Sequence, residues 1–158
     1  MKEHTGKNKI FIVIIICLCA GLIYFMKLKG GSDSAFKPDL DSNAKTQTAD
    51  DTGEKPTGIR IPGYPTITIE ADKKDVQMNL MNPEGNPCYF TFEIVLNDTG
   101  ETIYTSKMVE PGKAITEVTL DKALAAGEYP ATIKITTASL TDGAAMNGAN
   151  VETTLIAQ

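Results

Sequence analysis

Histidine and tryptophan are nearly absent from this chain of 158 residues: it contains no tryptophan, and its single histidine is His4. Nucleophilic catalysis by serine or cysteine usually needs a histidine base, and zinc sites combine several histidines and cysteines. The sequence also has no G-x-G-x-x-G pattern, no P-loop and no EF-hand loop. We therefore expect no catalytic residue, no metal and no other cofactor, and we predict that the chain is not an enzyme.

Cysteine is scarce as well. Cys17 and Cys19 lie inside an apolar N-terminal run, and Cys88 stands alone in the rest of the chain. A lone cysteine has no internal disulfide partner, so the later part of the chain must depend on an apolar core. Because Cys88 falls in an apolar strand pattern, it is more typical of a buried, inert thiol than of a reactive one.

A basic surface is also missing. From residue 59 onward seven lysines and arginines stand against thirteen aspartates and glutamates, which gives a net charge of −6. Such a domain repels phosphate backbones, and no cluster of basic residues offsets this repulsion. The sequence therefore argues against nucleic-acid binding.

The N-terminal run from Ile10 to Met26 contains seventeen positions without a charge. As a helix it would cover roughly 25 Å, the short end of what a membrane span needs. We predict a short cytoplasmic N-terminus at residues 1–9 and a transmembrane signal anchor at 10–28. A cleaved secretory signal is the alternative, because Lys2, Lys7 and Lys9 precede the apolar run.

The positive charges before the span favour an N-terminus inside the cell, so the acidic remainder of the chain would be exported. Residues 29–58 are polar and show neither a helical nor a strand period, which predicts a disordered linker. Residues 59–158 would then form an extracellular domain of a protein held in the cell membrane by a single span.

Alternation of apolar and polar residues predicts seven strands in this domain. The pattern is strongest in the third, which we expect to lie inside a sheet. A hairpin turn is predicted at Asn97–Gly100, and a single helical turn at Asp121–Ala126. The seven predicted strands are Thr66–Ala71, Val76–Leu80, Cys88–Leu96, Thr102–Val109, Ala114–Leu120, Tyr129–Ile135 and Val151–Ile156.

Seven strands at this spacing are typical of an immunoglobulin-like or fibronectin-like β-sandwich, so the predicted fold class is all-β. The pattern Leu124-x-x-Gly127-x-Tyr129 is similar to the tyrosine corner of such folds. We therefore expect the hydroxyl of Tyr129 to bond to the backbone upstream, as a contribution to stability.

Several short strings give the chain a further likeness. They are Ile61-Pro62-Gly63-Tyr64, Asn82-Pro83, Asn86-Pro87-Cys88-Tyr89-Phe90, Pro111-Gly112, Gly127-x-Tyr129 and Asn147-Gly148-Ala149. Together they resemble a group of uncharacterised small membrane-anchored exported β-domain proteins of Gram-positive anaerobes. The resemblance covers about residues 10 to 157 and implies the architecture and the location, but no activity.

In a sandwich of this kind, the loops after the second, fourth and sixth strands lie at the end where the linker arrives. The predicted loops are Asn82–Pro87, Glu110–Lys113 and Leu140–Asn150. We expect these loops to cluster with Ile61–Tyr64, and the candidate binding residues of this surface are Tyr64, Asn82, Asn86 and Asn147. The alternative is that these residues only pack the linker against the domain.

These features favour a non-catalytic interaction or accessory module of the cell surface, with a cell-surface or secretion-system protein as its partner. A cell-wall glycan or carbohydrate-binding module is the alternative, although the absence of tryptophan weakens it. A glycoside hydrolase or another unrecognised enzyme is the third possibility.

Overall fold

The structure is a computed structural model, and it describes residues 35–47 and 58–158. The predicted cytoplasmic N-terminus and the predicted anchor at 10–28 lie outside the described residues. Among the residues described, no helix is long and apolar enough to cross a membrane.

The described part of the chain is all-β, as predicted, and forms two sheets. The smaller sheet has three antiparallel strands in the order β1-β6-β3, and the larger has five in the order β2-β8-β7-β4-β5. The strands are β1 (Ala44–Thr46), β2 (Thr66–Ile69), β3 (Asp75–Asn82), β4 (Cys88–Leu96), β5 (Thr102–Thr105), β6 (Lys113–Thr119), β7 (Gly127–Ser139) and β8 (Ala145–Ala157).

The core lies between the sheets, because alternating positions bury one face of each strand. β4 follows its predicted pattern: Cys88, Phe90, Phe92, Ile94 and Leu96 are all buried. It pairs with β7 along its whole length and with β5 on its other side, so it lies inside the sheet as predicted. Matching positions of the smaller sheet, led by Leu80 and Ile115, close the core from the opposite side.

The predicted disordered linker is wrong for residues 44–46. This segment forms β1, which pairs antiparallel with β6, and residues 35–43 are also held, for example by Met108 N donating to Asp39 O at 3.0 Å. β1 is only three residues long and mostly exposed, so it shows too little alternation to be read from sequence. The described part therefore has eight strands: β1 and seven within residues 59–158, the number predicted for that range. Residues 48–57 of the predicted linker lie outside the described part.

The helical turn predicted at Asp121–Ala126 is also wrong: the segment is an irregular loop. Its polar groups bond to neighbouring strands and turns instead of to one another. Asp121 N donates to Ile103 O at 2.8 Å, and Leu124 O accepts from Asp72 N at 2.7 Å. The loop ends at the predicted corner, where the Tyr129 hydroxyl donates to Ala125 O at 3.0 Å, as expected.

The strand predicted at Thr102–Val109 is shorter than expected, because β5 ends at Thr105. Ser106 interrupts the ladder: it is buried, and its Oγ accepts a hydrogen bond from Phe92 N at 2.9 Å. Met108 and Val109 then make only isolated bridges. The predicted hairpin turn before β5 is confirmed, with Gly100 at a φ of 69°.

The long loop predicted at Leu140–Asn150 is also wrong, because most of this stretch belongs to a strand. β7 runs to Ser139 and β8 starts at Ala145, so the two strands form one long hairpin. The sequence of β8 begins with small and amide-bearing residues that resemble a loop by composition. Antiparallel pairing with β7 overrides this preference.

Candidate interaction site

Three of the four predicted binding residues meet at one end of the sandwich, where residues 58–65 approach β3 and the loop after it. These three, Tyr64, Asn82 and Asn86, are all buried. The structure thus brings three of the four residues together. Their burial keeps a partner from reaching these side chains in the folded domain.

Asn82 is wholly inaccessible to solvent, at 0% exposure. Its Nδ2 donates hydrogen bonds to the carbonyl oxygens of Cys88 and Val109, each at 2.9 Å. Its Oδ1 accepts from Asn86 Nδ2 at 2.9 Å. Every polar atom of this carboxamide thus serves the junction between β3, β4 and the segment before β6, which is a structural role.

Asn86, 3% exposed, extends this network to the approaching chain. Its Oδ1 accepts a hydrogen bond from Arg60 N at 2.8 Å, and its Nδ2 donates to Arg60 O at 2.9 Å. The carboxamide of Asn86 thus bonds to both the N–H and the C=O of Arg60, as the backbone of a neighbouring strand would. The Arg60 guanidinium also donates to Glu84 O. Residues 58–65 are fixed here without forming a strand.

Tyr64 secures the same segment against β3. Its hydroxyl accepts from Met81 N at 3.0 Å and donates to Met81 O at 3.5 Å. Burial raises the pKa of this phenol to about 12, against a small opposing contribution from the Met81 backbone. The group is therefore neutral at physiological pH. Of the two interpretations open from sequence, the geometry of these three residues supports packing.

Asn147 lies elsewhere, in β8 rather than in a loop, and it is exposed. The pairing of β7 with β8 shifts register here: Ile135 faces Ala149, whereas Thr137 faces Met146. Residues Asn147 and Gly148 thus form a β-bulge, and Thr137 Oγ1 donates to Asn147 O at 3.0 Å. A Cβ on Gly148 would lie 2.3 Å from Ile135 O, which explains why glycine occupies this position.

The bulge lies beside the tip of the β7–β8 hairpin, residues 140–148, which we call the hairpin tip. Two large apolar side chains project from it into solvent: Leu140 is 41% exposed and Met146 is 39% exposed. Sequence reasoning missed both, because it treated this stretch as a polar loop. Exposed apolar side chains that are grouped on one element mark interaction surfaces more often than scattered ones do.

An aromatic pair supports the base of the hairpin tip. Phe36 contacts Tyr89 of β4 with ring centroids 6.1 Å apart, and its ring also lies against Gly143. Gly143 has a φ of 71°, a conformation that glycine adopts without strain. The ring of Phe36 thus lies between the hairpin tip and Tyr89 of β4.

Two observations on the described residues bear on metal binding and on nucleophilic chemistry. They contain no group of three or more histidine, cysteine or acidic side chains arranged to hold a metal ion. Cys88, the nucleophile with the strongest intrinsic reactivity in this part, is buried, and this burial raises the pKa of its thiol. Its thiolate is therefore suppressed.

Comparison with protein-family models, with curated proteins and with solved structures gave no match in any of the three.

Proposed function

We propose that this chain is a non-catalytic, membrane-tethered interaction module that displays its β domain outside the cell and binds a protein of the cell surface or of a secretion system. The hairpin tip is its contact surface. The observation that carries the proposal is the exposure of Leu140 and Met146 on one hairpin, in contrast to the burial of Tyr64, Asn82 and Asn86.

We propose further that the sandwich is of the immunoglobulin-like or fibronectin-like class. Two features support this assignment. The hairpins β4–β5 and β7–β8 share one sheet while β3 and β6 pair in the other, which is the division of strands that such folds use. The Tyr129 hydroxyl bonds upstream to Ala125 O, as in a tyrosine corner. In such domains, loops and hairpins at one end often carry recognition.

The membrane tether and the export of the domain follow from the apolar run and the flanking lysines of the sequence. Protease shaving of intact cells that carry a C-terminally tagged chain tests this part. Loss of the tag from intact cells supports the proposed topology. Protection of the tag until the cells are lysed would overturn it.

Site-specific photo-cross-linking tests the contact surface. A photoreactive residue replaces Leu140 in the full chain, and a matched control replaces Asp98, which lies in the turn after β4 at the opposite end of the sandwich. We expect a defined cross-linked protein from position 140 and none from position 98. Equal cross-linking at both positions, or none at 140, would contradict the proposal.

A further inference from the structure

Beside the hairpin tip, one edge of the larger sheet is open. β2 covers the outer side of β8 only from Thr154 to Ala157. From Ala145 to Glu152, β8 bonds to β7 on one side, and no backbone hydrogen bond joins its other side to any residue in the described ranges. Over most of the length of β8, the outer side of the strand therefore has donors and acceptors without a backbone partner among the described residues.

The direction of the free backbone groups follows from the pairing. Pro130 faces Thr154 and has no N–H, so this pair is not hydrogen bonded across the ladder. Thr154 N instead donates outward, to Pro65 O at 3.4 Å. Because the direction alternates along a strand, Asn150 and Glu152 also point their N–H and C=O groups outward. These groups have the spacing that an added strand requires.

Apart from the bulge at Asn147–Gly148, this edge lacks the usual protection. Exposed edges are normally blocked by lysine, proline or an inward-pointing charge. Residues 143–151 contain none of these, and β8 has no basic residue at all. The bulge at Asn147–Gly148 distorts only the part nearest the tip.

The charges at the two ends of the free edge select between possible occupants. Asp142 and Glu152 flank it, and both are acidic; the exposed carboxylate of Glu152 also accepts hydrogen bonds from Asn97 Nδ2 and Thr132 Oγ1 on its β7 side. Hydrogen bonds from Ala144 N and Ser139 hold the pKa of Asp142 below its usual value, so it is a carboxylate at neutral pH. A second copy paired antiparallel across the whole edge would place Ala145 of one copy opposite Glu152 of the other, and β8 would bring the same acid and no basic residue to the interface. The charges of a second copy therefore do not complement this edge, whereas those of a basic segment do.

We propose that the free edge of β8 binds an extended, basic segment of the partner protein, which adds to the larger sheet as a further strand. The added strand makes backbone hydrogen bonds to Asn150 and Glu152, and its lysines or arginines lie near Asp142 and Glu152. Strand addition of this kind takes its affinity from main-chain bonds and its selectivity from side chains. The inference rests on the proposed function and specifies the chemistry of the partner.

A short synthetic peptide tests the inference on the full chain in detergent. Valine alternates with threonine in this peptide, and a lysine stands at each end; in the comparison peptide, glutamate replaces both lysines. We expect the lysine peptide to bind more tightly by roughly two- to fivefold for each ion pair, and less so at high salt. Hydrogen exchange should show protection of residues 145–153 by the lysine peptide.

Two variants separate strand addition from loose surface binding. Asn150→Pro removes one outward donor without removing a bond to β7, and Pro130 shows that the sheet accepts proline at an unbonded position. We expect it to abolish the protection of 145–153. Should that variant fold poorly, Asp142→Asn combined with Glu152→Gln keeps the side-chain shapes and should erase the preference for lysine over glutamate. Asp98→Asn with Glu128→Gln, at the far end, is the charge-matched control.

Equal binding of the two peptides, or no protection of residues 145–153, would overturn the inference. Protection that appears with rising protein concentration and without peptide would also overturn it, in favour of a second copy as occupant. These failures leave the proposed function testable by itself. A cross-linked partner at position 140 with no lysine-peptide binding means that the module recognises its partner in another way.

Discussion

At the junction between residues 58–65 and the sandwich, two buried carboxamides stand in for a ladder of backbone hydrogen bonds. Asn86 bonds to both backbone groups of Arg60, and Asn82 bonds to Asn86 and to two carbonyl oxygens of adjacent segments. Buried polar groups are costly unless each is paired, so the network is sensitive to the loss of any member. Its residues are structural parts of the domain.

Replacing Asn82 by alanine should therefore be strongly destabilising. The carbonyl oxygens of Cys88 and Val109 and the amide of Asn86 would all lose a partner in a site without solvent. We expect a loss of about 3 kcal/mol in the free energy of unfolding, measured by chemical denaturation. Asn79→Ala, on an exposed position of the same strand, is the control and should change stability by less than about 0.5 kcal/mol. Similar small effects for both variants would refute the structural role.

Tyr64 should make stability depend on alkaline pH. Its pKa is raised from 10.0 to about 12 by burial, so the folded state favours the neutral phenol more than the unfolded state does. The resulting stability is fully present below pH 10 and is lost as the pH rises towards about 12. Tyr104, whose pKa is also raised to about 12 by burial and then by Asp41, contributes in the same direction.

Tyr64→Phe should accordingly flatten this dependence. At pH 7 the variant loses the hydrogen bond to Met81 and about 1 kcal/mol. Above pH 10 its deficit relative to the parent chain should shrink, because the phenol that would have to ionise on unfolding is gone. Denaturation curves at several pH values give the comparison. A deficit that is constant up to pH 12 would show that Tyr64 does not titrate as described.

At the scale of whole elements, the β7–β8 hairpin combines regular pairing with one fixed irregularity. The bulge at Asn147–Gly148 inserts an additional residue into β8, after which the strand regains the register that buries Thr153, Leu155 and Ala157. A bulge of this kind turns the last part of a hairpin relative to the rest of the sheet. The exposed side chains of the hairpin tip depend on it for their direction.

Gly148→Ala tests that dependence. An added methyl group would lie 2.3 Å from the carbonyl oxygen of Ile135, a backbone atom that cannot move alone. We expect a loss of about 2 kcal/mol or a change of register near the tip. The matched control is Gly63→Ala, since no atom lies within 4 Å of the added group there. Thermal unfolding measures both, and equal melting temperatures would contradict the close approach.

The sequence predicted those elements whose signal is local. Alternation located β4, the centre of β7 and the C-terminal half of β8, because that pattern follows from which side chains a strand buries. Gly100 located the turn after β4. β1 was missed because only its pairing with β6 defines it. The buried state of Asn82 and Asn86 was missed for a similar reason: polar residues beside prolines resemble a loop, and their partners are distant in sequence.

Viewed as a whole, the sandwich depends on one core that both sheets share. Ile115 of the smaller sheet and Ile133 of the larger are both fully buried in it. Small domains with a single core usually unfold in one cooperative transition. Neither sheet has a second layer of its own among the described residues, so we expect the two sheets to unfold together.

Truncation of either isoleucine should therefore destabilise both sheets together. Ile115→Ala and Ile133→Ala should each lower the free energy of unfolding by about 3 kcal/mol and shift a single transition. Leu140→Ala, which removes an exposed side chain of the hairpin tip, should leave stability nearly unchanged. Two separate transitions in either core variant, seen by circular dichroism and by hydrogen exchange, would show that the sheets are independent units.

The thiol of Cys88 can report when the two sheets separate. Cys88 lies at the start of β4, buried in the core between the two sheets. No other cysteine occurs after residue 19. A thiol-reactive reagent reaches it only while the sheets are apart, so the alkylation rate of the peptide that contains Cys88 records how often they separate. Alkylation of Cys88 in intact cells therefore measures how often the domain opens, with the natural thiol as the only reporter in the chain after residue 19.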